Sequence, residues 1–177
     1  LAHERRKVIV DPHFRGMSEI FSSADAERLA ELFHVVWGRD DPMPLDEFEA
    51  ALPGTLAVVS SGWRYGPILD RADELRAILT VGGGWPPEID YADCERRGIR
   101  VLSAGPAFAS AVAEMALAFA LACSRNIAAE DRAMRAGAER FLSNADDLDT
   151  FHLFGKRVGF VGFGNIGRQL RRLLEPF

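Results

Sequence analysis

Five short apolar runs alternate with helix-patterned stretches through roughly the first hundred residues, and this alternation restricts the fold more than any other feature. Lys7-Val8-Ile9-Val10-Asp11 is stopped by Pro12 and reads as a strand whose carboxyl end lies near Asp11. His34-Val35-Val36-Trp37, Leu56-Ala57-Val58-Val59, residues 75–81 and Ile99-Arg100-Val101-Leu102 read as four more. Between the strands, Ser22-Ser23-Ala24-Asp25 offers a helix cap with an acid three residues on, ahead of Ala26, Leu29, Ala30 and Phe33 at helical spacing. Leu45, Phe48, Ala51 and Leu52 share one face of a second helix, which Pro53-Gly54 stops. Ile68, Leu69 and Ala72 suggest a third helix, and residues 91–97 a short fourth ended by Gly98. Leu56-Ala57-Val58-Val59 is continuously apolar, as expected when helices cover both faces of a parallel sheet. The pattern predicts an α/β domain with right-handed crossovers and no repeat longer than the βα unit.

With 48% hydrophobic and 27% charged residues, the chain has ordinary globular composition. A net charge of -5 gives no electrostatic reason to expect a nucleic acid or an anionic membrane as partner. Cys94 and Cys123 both fall in helical stretches and are expected as buried small hydrophobes, with a disulfide or redox pair as the lesser alternative. There is no CxxC and no His/Cys cluster, so no specific metal site is expected. Ser103-Ala104-Gly105-Pro106 breaks the rhythm and marks a domain boundary, giving domains over 1–104 and 105–177. A helix over 111–127 is apolar nearly all round, which predicts burial between domains or at a subunit interface. Its apolar run over 111–123 carries Glu114 and is too short to span a bilayer. Residues 128–138 form a more polar helix, and 139–154 an irregular connector. The basic start is followed by only a strand-length apolar run, unlike a secretory signal, so a cytoplasmic protein is expected.

Gly155-Lys156-Arg157-Val158-Gly159-Phe160-Val161 reads as a turn feeding a buried strand, and Gly162-Phe163-Gly164-Asn165-Ile166-Gly167 follows directly. Gln169, Leu170, Leu173 and Leu174 continue at helical spacing. A GxGxxG alone is weak, but strand, glycine turn and helix in succession point to dinucleotide binding; the alternative is a tight βα turn without a ligand. Gly162 permits the turn, Gly164 lets the backbone approach a pyrophosphate, and Gly167 lets helix and strand pack closely. The N–H groups of the first helical turn then face the phosphates. Gly162, Phe163, Gly164, Asn165, Ile166 and Gly167 are the candidate cofactor-binding residues, Asn165 and Ile166 mainly through their backbone. NAD is the expected cofactor, with NADP left open, because the acid that accepts from the adenine ribose falls about 20 residues past the glycines. A lone βα unit cannot bury its own apolar face, so either the rest of a longer polypeptide covers this one or it packs on something supplied elsewhere.

Five stretches together resemble the D-isomer-specific 2-hydroxyacid dehydrogenases, the family of phosphoglycerate, formate and D-lactate dehydrogenases. They are Val59-Ser60-Ser61, Gly83-Gly84 leading to Ile89-Asp90, Arg97-Gly98-Ile99, Val112-Ala113-Glu114 and the glycine fingerprint, in the family's order and spacing over nearly the whole chain. The resemblance implies a flavodoxin-like parallel-sheet substrate domain followed by the beginning of a Rossmann dinucleotide-binding domain. It also implies hydride transfer between a nicotinamide cofactor and a small 2-hydroxy or 2-oxo acid, and a homodimer formed through helix 111–127. Ser61, Gly62, Gly83, Gly84 and Trp85 are the implied substrate-binding positions, and Glu114 matches a structural acid expected to be buried or interfacial. The family's catalytic Arg, Glu and His all follow the fingerprint, so no catalytic residue is assigned here and this stretch alone is expected to be inactive.

Several positions depart from the family pattern. Arg-Ser-x-Thr is replaced by Ser60-Ser61-Gly62-Trp63, and Gly-Val-Gly-x-Asp-Asn-Ile-Asp by Gly83-Gly84-Trp85-Pro86-Pro87-Glu88-Ile89-Asp90. Asn-x-Pro becomes Ser103-Ala104-Gly105, and a usual Ser or Thr becomes Ala109. Trp63 and Trp85, both at carboxyl ends of strands, are expected either to line the substrate side or to serve local loop packing. The altered loops motivate a second reading, a nicotinamide-binding, corepressor-like regulator with weak or no turnover. A third is a short product that serves only as an interaction module.

Overall fold

Each β-branched run becomes a strand of one parallel sheet in the computed structural model, which describes residues 5–138 and 150–177. The strands are β1 (Lys7–Asp11), β2 (His34–Trp37), β3 (Thr55–Ser60), β4 (Ala77–Thr80) and β5 (Arg100–Ser103), in the order β2-β1-β3-β4-β5. All four pairings are parallel, and Asp11 ends β1 directly opposite Ser60 of β3. The carboxyl ends of β1, β3 and β4 therefore lie side by side.

The crossovers carry α1 (Met17–Ile20), α2 (Ser23–Leu32), α3 (Leu45–Ala51) and α4 (Tyr91–Arg96). Ser22 caps α2 by accepting from the Asp25 N–H at 3.2 Å. Gly98, at φ 68°, closes α4 in a left-handed turn that lets the Ile99 N–H reach the Cys94 carbonyl at 2.8 Å. The core between these elements is built on Ile9, Val58 and Ile78 of the sheet with Phe48, Leu52 and Leu75. Phe48 stacks on Tyr65 with ring centroids 3.5 Å apart, and Trp63 meets both edge-on.

Two expectations differ from the structure, and one element was not anticipated. The helix expected through Ile68, Leu69 and Ala72 is only a 3-10 turn, Leu69–Arg71. Arg97 explains the shortening, because its guanidinium donates to the carbonyls of Leu69 and Ala72 and removes their need for helical partners. The short α1 was not anticipated; its Gly16 N–H donates to Glu19 and its Met17 N–H to Asp40, both of them contacts to side chains. Of the cysteines, Cys94 is buried as expected, with burial raising its thiol pKa, but Cys123 is exposed; both are free.

The chain divides into two compact units, Leu1–Gly105 and Pro106–Phe177. The long apolar helix α5 runs over Gly105–Ser124, starting six residues before the expected 111. Pro106 sits in the first turn, where no N–H is required, and the Gly105 N–H donates to Ser103 Oγ at 3.1 Å. Asn126, in the left-handed region at φ 53°, ends this helix and opens α6 (Ile127–Arg135). At 20 residues α5 is long and apolar enough to cross a membrane by length and composition, contrary to the expectation for the shorter run, although Glu114 lies within it. Nor is it covered on most sides: Ala109, Ala113 and Ser124 are buried, whereas Phe108, Val112, Met115 and Phe119 are exposed. Glu114 is exposed rather than buried.

In the second unit the Phe151 N–H donates to the Ser124 carbonyl at 2.8 Å, and the Gly155 N–H to the carbonyl of Phe177 at 2.5 Å. α7 (Asn165–Leu174) follows the glycine fingerprint. The strand expected just before it does not form among the described residues; Val158 and Phe160 are exposed and Val161 fully so. The cause is physical: a strand needs a neighbour to take its N–H and C=O groups, and no described strand lies beside this segment. Most of the expected connector, residues 139–149, lies outside the described residues.

Candidate functional site

The loops leaving β1, β3 and β4 surround a cleft of about 450 Å³ at the carboxyl edge of the sheet. It is lined by Phe14 from the first loop, Ser61, Gly62, Trp63 and Arg64 from the second, and Thr80, Gly82, Gly84, Trp85, Pro86 and Glu88 from the third. Of the expected substrate residues, Ser61, Gly62, Gly84 and Trp85 thus meet in one place. Gly83 does not line the cleft; its carbonyl oxygen lies against Gly105 at the start of α5, where an added Cβ would come within 3.0 Å of it. The amides of Gly83 and Gly84 donate to no acceptor among the described residues, leaving them available to an anion.

Lateral hydrogen bonds fix these loops to one another. Ser61 Oγ donates to the Pro12 carbonyl at 2.7 Å, which commits that hydroxyl to joining the first two loops. Ser103 Oγ donates to the Gly82 carbonyl at 3.1 Å, and Thr80 Oγ1 to that of Leu102 at 3.2 Å. Trp63 serves both expected roles: it lines the cleft, yet it is buried in the aromatic cluster with its indole N–H donating to Gly66 at 2.9 Å. Trp85 is 61% exposed and, among the described residues, its one ring neighbour is Tyr91, edge-on at 6.2 Å.

Beside the cleft lies a buried polar cluster that the sequence reading gave no role. Asp11, 1% exposed, accepts from Arg64 Nη2 at 2.6 Å, from the Tyr65 hydroxyl and from the Met43 N–H at 3.3 Å. Arg64 Nη2 also donates to the Met43 carbonyl at 2.7 Å. Burial, and then the neighbouring Asp11 carboxylate, push the Tyr65 hydroxyl above the ordinary tyrosine range, so it remains a donor. Ser60 Oγ, next along at the end of β3, is buried without a partner among the described residues. The available signal for these residues was position: in a parallel sheet, whatever follows a strand's carboxyl end borders the crevice.

In the second unit the glycine fingerprint makes the bend that its spacing predicts. Gly162 holds φ 85°, a conformation open to glycine and costly to residues with a Cβ. Gly167 lies under the bend, where an added Cβ would meet the Gly162 oxygen at 3.2 Å and the Phe163 ring at 3.3 Å. At Gly164, the N-cap of α7, an added Cβ would meet nothing within 4 Å. The amides of Asn165, Ile166 and Gly167 have no acceptor among the described residues; the first satisfied amide is that of Arg168, bonded to the Gly164 carbonyl at 3.0 Å. Asn165 Oδ1 accepts from Arg168 Nη2 at 2.7 Å, which turns its side chain back along the helix. Phe163 packs edge-on against Phe160.

Residues 117–177 match the family described as D-isomer specific 2-hydroxyacid dehydrogenase, NAD binding domain. The hydroxypyruvate reductase of Thermotoga maritima is 33% identical over 134 residues, which are 75% of this chain and 42% of that protein. A phosphoglycerate oxidoreductase from Rhizobium etli, known from its crystal structure, aligns with a TM-score of 0.77 at 30% identity, covering 96% of this chain and 53% of its own. Over residues 117–177 this chain carries the D-isomer-specific 2-hydroxyacid dehydrogenase NAD-binding domain.

A glyoxylate/hydroxypyruvate reductase of Arabidopsis thaliana is similar over a shorter stretch, 40% identical across 50% of this chain and 27% of that protein. The chain thus spans about half the length, or less, of these dehydrogenases. The residues present fit the family's dinucleotide. Open space in front of Gly164 and three unpaired amides at the positive end of a ten-residue helix are what a pyrophosphate requires. Sequence reasoning located this bend from the glycine spacing together with the apolar run before it and the helical pattern after it; it missed Phe14 and Arg64, which no local pattern ties to the cleft.

Proposed function

We propose that the intact polypeptide carrying this chain transfers a hydride between a nicotinamide dinucleotide and a small 2-hydroxy or 2-oxo acid. The observation that carries this reading is the bend at 162–167, open where the diphosphate must approach, on a chain carrying this family's NAD-binding domain. The nicotinamide, when bound, supplies the carbon that gives or receives the hydride. Asn165, Ile166 and Gly167 hold the diphosphate through their amides, and Gly164 leaves room for it. Ser61, Gly62, Gly84 and Trp85 shape the substrate cleft, where the free amide of Gly84 can donate to the acid's carboxylate. The relatives named above as reductases of glyoxylate and hydroxypyruvate make these two acids the first substrates to try. Mixed with either acid, the intact protein should consume NADH or NADPH, followed as loss of nicotinamide absorbance. Dinucleotide binding without turnover across a panel of 2-oxo acids would sink the enzyme reading and favour a regulatory role.

The same polypeptide is a homodimer in this proposal. Phe108, Val112, Met115 and Phe119 recur at helical spacing on α5 and are all exposed in the single chain, an apolar stripe suited to a symmetric contact. Light scattering should give twice the chain mass, and Phe119→Glu should halve it. A wild-type monomer would refute the dimer. The free thiols of Cys94 and Cys123 support placement in the reducing cytoplasm.

A further inference from the structure

We infer that the cleft at the carboxyl edge of the sheet is built to take an aromatic side chain on the 2-oxo acid, held against Phe14 and Trp85. This deepens the dehydrogenase reading and rests on it. Besides the buried Trp63, two large rings from different loops line the cleft, and both are turned outward: Phe14 is 79% exposed and Trp85 61%.

Neither ring is left loose. Phe14 has φ 78°, a left-handed conformation that is costly for a bulky residue. That cost is not offset by burial, since its only ring neighbour among the described residues is His13 at 4.4 Å. The turn that imposes it is fixed twice at Pro12, whose carbonyl accepts from the Arg15 N–H at 2.8 Å and from Ser61 Oγ at 2.7 Å. On the other side, Pro86 and Pro87 stiffen the loop, and the Pro86 carbonyl accepts from the Tyr91 hydroxyl at 2.7 Å. Strain without burial on one wall, and rigidity without burial on the other, are what a preorganised aromatic contact needs.

The space between agrees with this. A Cβ on Gly62 or Gly84 would meet nothing within 4 Å, so the cleft is not filled from below. Its volume of about 450 Å³ falls among clefts that hold drug-sized ligands, about 300–1,000 Å³, and exceeds the needs of a two- or three-carbon acid. Arg64, the cation on the lining, already has its Nη2 committed to Asp11 and Met43, which weakens any claim that the cleft selects a second anionic group.

The test compares phenylpyruvate with pyruvate, which differ only by the ring, as substrates of the intact protein with reduced nicotinamide. We expect kcat/KM to favour phenylpyruvate by at least about tenfold, the scale of discrimination an apolar pocket supplies. Trp85→Ala should collapse that ratio, chiefly through KM for phenylpyruvate. In parallel, D-3-phenyllactate should change tryptophan fluorescence saturably where D-lactate does not, and Trp85→Ala should abolish the change. Equal turnover of both acids would overturn the aromatic site and leave the dehydrogenase reading standing. No turnover of either, with the phenyllactate signal intact, would sink the dehydrogenase reading and keep the aromatic site. Absence of both signals would overturn both.

Discussion

Asp11→Ala is expected to destabilise the sheet unit by about 3–5 kcal/mol, the usual cost of removing one partner from a buried ion pair. The substitution strips three donors of one acceptor: the Arg64 guanidinium, the Tyr65 hydroxyl and the Met43 N–H. The carboxylate is 1% exposed whereas the Arg64 side chain retains 33% exposure, so water can reach the orphaned cation and the loss should fall near the lower end. Tyr65 has no such relief: it is 3% exposed and stacked on Phe48, so its hydroxyl must stay unpaired or pull the ring out of the cluster. Asp11→Asn keeps the shape and one acceptor oxygen and should cost less. Denaturant midpoints at constant slope measure both. A loss below about 1 kcal/mol for the alanine variant would show that the cluster is not a unit, on the scale of single neutral hydrogen bonds.

Gly164→Val should weaken NADH binding by roughly 100-fold, about 2.8 kcal/mol, while leaving the melting temperature near that of the unaltered protein. The two halves of that expectation have separate causes. An added Cβ meets nothing within 4 Å among the described residues, so folding does not resist it. The same space is where the diphosphate must come within hydrogen-bonding distance of the Asn165 and Ile166 amides, and a branched side chain holds it off. Gly167→Val is the contrast, since its Cβ would meet the Gly162 oxygen at 3.2 Å and should lower stability and binding together. Fluorescence titration of NADH with a thermal melt on each variant separates the two. Unchanged affinity in Gly164→Val would mean that the diphosphate lies elsewhere.

The sequence carried the sheet's strands because each is a local signal: Leu56-Ala57-Val58-Val59 is apolar on both faces, and Pro12 stops β1 where Asp11 ends it. It could not carry what depends on distant partners. Arg97 shortens a helix 25 to 28 residues before it, and Asp11 meets Arg64 and Tyr65 across 53 and 54 residues. The fingerprint was legible as a bend because its glycines stand directly ahead of a helix-patterned stretch, which forms α7. The strand before it was misread because an apolar run states only a preference, and without an adjacent strand among the described residues that preference goes unmet. For α5 the composition predicts cover between domains or at a subunit interface, and composition does not say which molecule supplies it. Within the cleft, Trp85 was visible as a departure from the family's loop, whereas Phe14 needed the backbone to reveal its left-handed φ.

The strand order β2-β1-β3-β4-β5 reverses direction between its second and third members, so the chains leaving those two strands part toward opposite faces. A crevice at that point is a product of topology and survives whatever side chains border it. Residues 82–88 can therefore be rewritten, as the Trp-Pro-Pro run already has been, without disturbing a single ladder register. Selectivity for the incoming acid is on this account an evolutionarily cheap property of the scaffold, altered at its rim while the sheet below stays constant.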